Sequence, residues 1–287
     1  MAGAEPVSDS DDTGRPSSAS NLTLRIVSAV ILAPLALLTA YLGSWPFAIF
    51  WAMAALAVLW EWIVLVVGGS YRLMFSWCTG AIAVAGFLAW LGRPVVALLM
   101  IALGALGAAI FTPSERRLWV TLGVIYSAAM LLAPMFLRGD TTYGLAAIML
   151  LFAVVWTTDI LGYFAGRLFG GPKLLPVVSP KKTWSGAIAG TAGAMIVTAL
   201  SAGLLGSYKV PAIVVIAGVL SIMAQLGDLL ESWVKRQFGA KDSSQLIPGH
   251  GGVMDRLDGF WAAAVVACVI GILRGGFDGP ARGLLIW

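Results

Sequence analysis

The sequence predicts an all-α polytopic membrane protein, with about nine transmembrane helices and two long cytoplasmic polar loops. Three observations carry this. Of 287 residues, 60% are hydrophobic and 11% charged, and mean hydropathy is +0.92; a soluble core cannot absorb so much apolar surface. The apolar residues fall in successive runs of about 16–22 residues, each long enough to cross a hydrocarbon layer of ~30 Å as a helix. Charge is concentrated: the window Ser232–Gly259 holds four of the 18 Lys and Arg residues, three acids and the sole His.

Residues 1–24 are rich in Ser, Asp and Gly without apolar periodicity, which predicts a disordered tail. Residues 25–287 then form one integral membrane domain. The start is acidic and the first apolar run is long, unlike a cleaved signal, so 26–42 is expected as a retained helix. The other predicted spans are 46–67, 76–91, 94–111, 118–137, 143–164, 186–206, 210–230 and 259–274. Lipid offers no partner for free backbone N–H and C=O groups, so helices are the expected spanning element. Cys78 and Cys268 lie in apolar runs without metal-ligand spacing and read as small packing residues.

The tail and the connections 68–75, 112–117, 165–185 and 231–258 fall on one face, with 13 basic residues against five on the other. The positive-inside rule puts that face, with the N-terminus and both long loops, in the cytoplasm. Eight of the 13 sit in the two long loops, so the orientation rests largely on them. A formal charge of +4 is too small to argue for nucleic acid; it fits basic loops facing lipid headgroups or phosphates.

Within the last long loop, Asp228, Glu231, Ser232 and Lys235 are spaced to form one helical stripe. An acid at the end of a long apolar run either lines a cavity or pairs with a cation; for Asp228 alone, solvation and pairing with Lys235 is an equal reading. Asp255, Arg256 and Asp258 then open the next apolar run. Asp228 and Asp255, at the mouths of neighbouring helices, have the hard oxygen donors that suit Mg²⁺ with phosphate ligands. Between them, Pro248, Gly249, His250, Gly251 and Gly252 allow backbone N–H groups to approach an anion. Lys235, Arg236, Lys241 and Arg256 supply cations for phosphate oxygens.

The other loop agrees. Asp159, Gly162, Tyr163 and Gly166 form a second stripe, followed by Arg167, Lys173 and the run Ser179, Pro180, Lys181, Lys182, Thr183. That run reads as a phosphate cradle opening a helix or as a lipid-facing basic turn; the glycines read equally as close helix packing. Glu61, between Trp60 and Trp62, reads as a paired acid in an aromatic belt.

The window Ser232–Asp258 resembles the signature of the phosphatidate cytidylyltransferases, or CDP-diacylglycerol synthases. The resemblance is carried by Ser232, Lys235, Arg236, Lys241, Asp242, the Pro248–Gly252 turn, Asp255, Arg256 and Asp258. The blocks Asp159–Arg167 and Ser179–Thr183 and the opening Leu24–Ala29 are similar too. The chain departs where many members carry an acid, near Trp184 and Ser185. The resemblance implies that CTP and phosphatidic acid give CDP-diacylglycerol and pyrophosphate with Mg²⁺, a second cation being left open, and that the protein is a homodimer. A bacterial plasma membrane is expected.

On this reading Asp228 and Asp255 hold the metal, and Lys235, Arg236 and Arg256 clamp phosphates. His250 orients a phosphate or donates to the leaving group. Asp159, Arg167, Ser179, Lys181, Lys182, Thr183, Lys241, Asp242, Gly251, Gly252 and Asp258 bind substrate. The rival classes are an ion-coupled transporter, whose site belongs near the midplane between repeats, and another CTP-dependent lipid enzyme.

Overall fold

The structure, a computed structural model, describes residues 18–68, 72–202, 209–247 and 251–287. The expected tail up to residue 17 lies outside the described residues, as does His250. The elements are α1 (Ser18–Leu42), α2 (Ser44–Val67), α3 (Arg72–Trp90), α4 (Pro94–Phe111), α5 (Ser114–Arg138), α6 (Gly144–Phe169), β1 (Lys173–Leu175), β2 (Ser179–Thr183), α7 (Trp184–Ser201), α8 (Val210–Gln237), α9 (Met254–Gly275) and α10 (Pro280–Leu285).

Among the described residues, eight helices, α2 to α9, are long and apolar enough to cross a membrane. The remaining expected span, 26–42, falls on α1, whose apolar described part is Val30–Leu42. Among the described residues, helix α1 runs from Ser18 to Leu42. The chain is predominantly helical, as the all-α expectation requires; within the loop after α6 lies a short antiparallel hairpin pairing Lys173 with Thr183 and Leu175 with Ser179. Its strands are three and five residues long, too short and too charged to announce themselves by alternation.

Helix α5 is central and contacts α2, α3, α4, α6 and α9. Its Tyr126 ring stacks on Trp261 of α9 at 4.2 Å. The indole N–H of Trp261 donates to the Tyr126 carbonyl at 2.9 Å, and that of Trp62 on α2 to the Trp119 carbonyl at 2.8 Å. Large amphipathic rings thus fill the core, and the indole N–H groups of Trp62 and Trp261 find backbone acceptors there. Both cysteines are buried free thiols.

Small residues bring the site-bearing helices together. A side chain on Gly186 of α7 would meet the Gly162 carbonyl of α6 at 2.5 Å, and one on Gly190 the Thr158 carbonyl at 2.7 Å, so α6 and α7 cross with backbones nearly touching. A polar chain ties α8 to this pair. The Thr158 and Ser221 hydroxyls lie 2.7 Å apart, Ser221 donates to Thr191 at 3.1 Å, and Gln225 donates to Thr191 at 3.0 Å. At Gly227 a side chain would lie 2.6 Å from both the Asp258 carbonyl and the Ala262 β-carbon. Gly227→Ala is therefore expected to force α8 from α9 beside Asp228 and Asp258. The expected cost is about 1–3 kcal/mol of overpacking, read as a lowered midpoint of thermal unfolding in detergent; an unchanged midpoint would contradict this close approach.

Candidate active site

At one end of the bundle, α6, the hairpin, the start of α7, the end of α8 and the start of α9 enclose a cavity of about 850 Å³. That is within the usual range for a bound small molecule. Its walls are mostly charged. Asp228, Glu231 and Lys235 come from α8, Asp255, Arg256 and Asp258 from α9, Asp159 and Arg167 from α6, and Lys173, Lys181 and Lys182 from the hairpin.

Helix α8 continues seven residues past Leu230 to Gln237, and Asp228, Glu231 and Lys235 of its stripe line the cavity. Asp228 forms an ion pair with Lys182 of β2, and Ser232 donates to it at 3.4 Å. Lys235 is not the partner of Asp228. Its Nζ sits 2.7 Å from Glu231 Oε2 and 2.5 Å from Asp255 Oδ1, with the lysine side chain only 9% exposed.

Asp255 is fully engaged within the protein. Its Oδ2 accepts from the Gly252 N–H at 2.8 Å, the Ser243 N–H at 3.0 Å and the Ser243 hydroxyl at 3.1 Å, while Lys235 takes Oδ1. The carboxylates that meet are Asp228, Glu231 and Asp258, whose oxygens lie within 4.8 Å of one another. Asp228, expected to hold a metal with Asp255, has Glu231 and Asp258 as the other members of this group. Glu231 is 1% exposed and its Oε2 is held by the Lys235 ammonium at 2.7 Å. Three clustered carboxylates facing Lys182 and Lys235 form an oxygen donor set suited to a hard divalent cation.

The expected substrate residues divide. Asp159, Arg167, Lys181, Lys182, Thr183, Asp242, Arg256 and Asp258 line the cavity; Ser179, Arg236, Lys241, Gly251 and Gly252 do not. Arg236 instead donates to the Ala240 carbonyl at 2.8 Å and closes the end of α8. Thr183 caps α7, its hydroxyl accepting from the Gly186 N–H at 3.2 Å, and Arg167 donates to the Tyr163 hydroxyl at 3.0 Å. Gly251 has φ +87°, a left-handed conformation that favours glycine, and pairs with Ile247 to close the loop.

Three residues at or beside the cavity were given no site role by the sequence reading. Glu231 lay on the stripe, and its spacing of three from Asp228 was the signal that could have placed it in the metal set. Gln225 lines the cavity three residues before Asp228. Glu61 is fully buried and contacts the loop before α9, a long-range relation with no sequence signature.

A model of a family described as the cytidylyltransferase family matches residues 23–273 of the chain. A phosphatidate cytidylyltransferase of Brucella suis is 43% identical over 270 residues, covering 91% of this chain and 97% of the relative. One of Brucella abortus is 44% identical over 262 residues, covering 88% and 94%. One of Haemophilus influenzae is 42% identical over 129 residues, covering 43% and 45%.

Proposed function

Because the chain belongs to the cytidylyltransferase family, we propose that its charged cavity is where the phosphate of phosphatidic acid attacks the α-phosphorus of CTP. The activity is that of a phosphatidate cytidylyltransferase, a nucleotidyltransferase of phospholipid biosynthesis, with CTP and phosphatidic acid as substrates. The observation that supports this location is the meeting of three carboxylates and several Lys and Arg side chains in one cavity at the end of a membrane bundle.

The reaction balances without a strong base. A phosphomonoester has its second pKa near ~6, so the lipid phosphate is largely dianionic at neutral pH. One of its oxygens bonds to the α-phosphorus. The bond from that phosphorus to the bridging α–β oxygen breaks, and pyrophosphate leaves with the electron pair. The difficulty is that one polyanion must approach another, so the protein's task is to neutralise charge and hold the reacting atoms in line.

Asp228, Glu231 and Asp258 are the residues that would hold Mg²⁺. Bound there, it would neutralise triphosphate oxygens and assist departure of pyrophosphate. Lys235, fixed between Glu231 and Asp255, presents its charge at a set position. Arg256 on α9 and Lys181, Lys182, Lys173 and Arg167 on the opposite wall offer the cations that two phosphate-bearing substrates require. Asp255 serves here as the anchor of Lys235 and of the loop before α9. The apolar helices keep phosphatidic acid beside the cavity, while CTP enters from water.

We place nine spans in the membrane, with α1 as the first. The N-terminus and the cavity face the cytoplasm of a bacterial cell, across its plasma membrane, and the protein is a homodimer. Cross-linking in native membranes tests the dimer.

The central test is pyrophosphate release by purified protein in detergent. It is expected to require CTP, phosphatidic acid and Mg²⁺ together, to match CDP-diacylglycerol formed one for one, and to stop on chelation by EDTA. Release without lipid, or none from well-folded protein across several divalent metals, would overturn the proposal.

A further inference from the structure

We propose that Glu61, an acid of α2 that does not line the cavity, is a positioning residue for the reaction. It clamps the first turn of α9 and, through Ser243, sets Asp255 and with it Lys235. This rests on the cavity's being the reaction site.

The Glu61 side chain is fully buried, and each of its oxygens accepts from one backbone N–H and one serine hydroxyl. Oε1 takes the Val253 N–H and the Ser244 hydroxyl, both at 2.7 Å. Oε2 takes the Met254 N–H at 2.7 Å and the Ser243 hydroxyl at 3.1 Å. The first N–H groups of a helix have no partner within it, and no side chain from its own N-cap residue, Val253, serves α9. A carboxylate 192 residues away in sequence supplies the cap, at the end of the helix where the dipole favours negative charge.

The clamp lies at the root of the cavity's chemistry. Met254 is followed at once by Asp255 and Arg256, with Asp258 one turn along, so a shift at the start of α9 moves all three. Ser243 joins the two carboxylates, its single hydroxyl proton shared between Glu61 Oε2 and Asp255 Oδ2, each 3.1 Å away. From Asp255 the chain of contacts passes to Lys235 and Glu231. Gly252 leaves the space this needs: a side chain there would overlap the Ser243 hydroxyl and lie 2.7 Å from both Glu61 oxygens.

Full-length protein in detergent micelles, assayed with CTP, phosphatidic acid and Mg²⁺, tests this. Glu61→Gln keeps the shape but turns an N–H₂ group towards a backbone donor. Its kcat is expected to fall about 10–100-fold, as for outer-shell partners of a reactive centre, while KM for CTP moves less than about threefold. Ser243→Ala should fall in the same range. Ser244→Ala, whose hydroxyl meets Glu61 and not Asp255, should lose distinctly less. The double variant Glu61→Gln/Ser243→Ala should be no slower than the slower single, because both act through one contact chain.

Wild-type kcat in folded Glu61→Gln, or losses that multiply in the double variant, would overturn the proposal. If Glu61→Gln does not fold, equal losses in Ser243→Ala and Ser244→Ala would do so. An inactive wild type would instead count against the reaction site itself.

Discussion

Asp228→Asn and Asp258→Asn are each expected to leave a folded helical protein whose formation of CDP-diacylglycerol is slowed about a hundred- to a thousandfold, the loss typical of removing one preorganised electrostatic partner of a transition state. The amide has the shape of the carboxylate without its charge, so it weakens a divalent cation's hold. It also removes the partner of Lys182 at position 228. The check is product formation across a Mg²⁺ titration, with unfolding temperature and helix content measured on the same preparations. The metal concentration for half-maximal rate should rise in both variants. Turnover near that of the wild type at ordinary Mg²⁺ would remove the residue concerned from the metal-holding role.

Asp255→Asn should behave differently. Its carboxylate holds Lys235, two backbone N–H groups and a serine hydroxyl, and both members of the ion pair are largely buried, at 9% and 8% side-chain exposure. Lys235 keeps Glu231 at 2.7 Å, so the loss should be less than that of a buried charge left wholly unpaired, about 3–5 kcal/mol. The amide's N–H₂ would also face donors that need an acceptor. The variant should therefore unfold at a clearly lower temperature, with kcat reduced about 10–100-fold. Below that temperature, the half-saturating Mg²⁺ concentration should match the wild type. A shifted Mg²⁺ requirement with unchanged thermal stability would return Asp255 to the metal-holding set. The contrast with Asp228 separates a residue that holds the metal from one that holds the protein around it.

The long apolar runs were legible because a bilayer demands continuous hydrophobicity over a known length. The predicted 94–111 coincides with α4, and 118–137 lies within α5. The hairpin was not legible: three- and five-residue strands rich in Lys carry no periodic signal, and their pairing depends on partners across a turn. In the site, the stripe on α8 was readable because residues three and four apart share a helix face. Which acid of α9 comes nearest Asp228 was not, since spacing along one helix says nothing of which carboxylate on the next helix faces it. Gly227, pressed against the Asp258 carbonyl, brings α9 close at Asp258, while Ser243 and Gly252 draw Asp255 into hydrogen bonds of its own.

Composition and the charged window, taken alone, determined a helical membrane protein with its charge gathered in a few segments, because hydropathy and charge act through local sequence. The tertiary structure alone decided the division of labour among the acids: Asp228, Glu231 and Asp258 gathered together, Asp255 bound to Lys235, and Glu61 capping α9 from across the bundle. Those roles depend on distances of a few ångströms between helices far apart in the chain, set by where a missing side chain allows close approach and where a buried donor demands an acceptor.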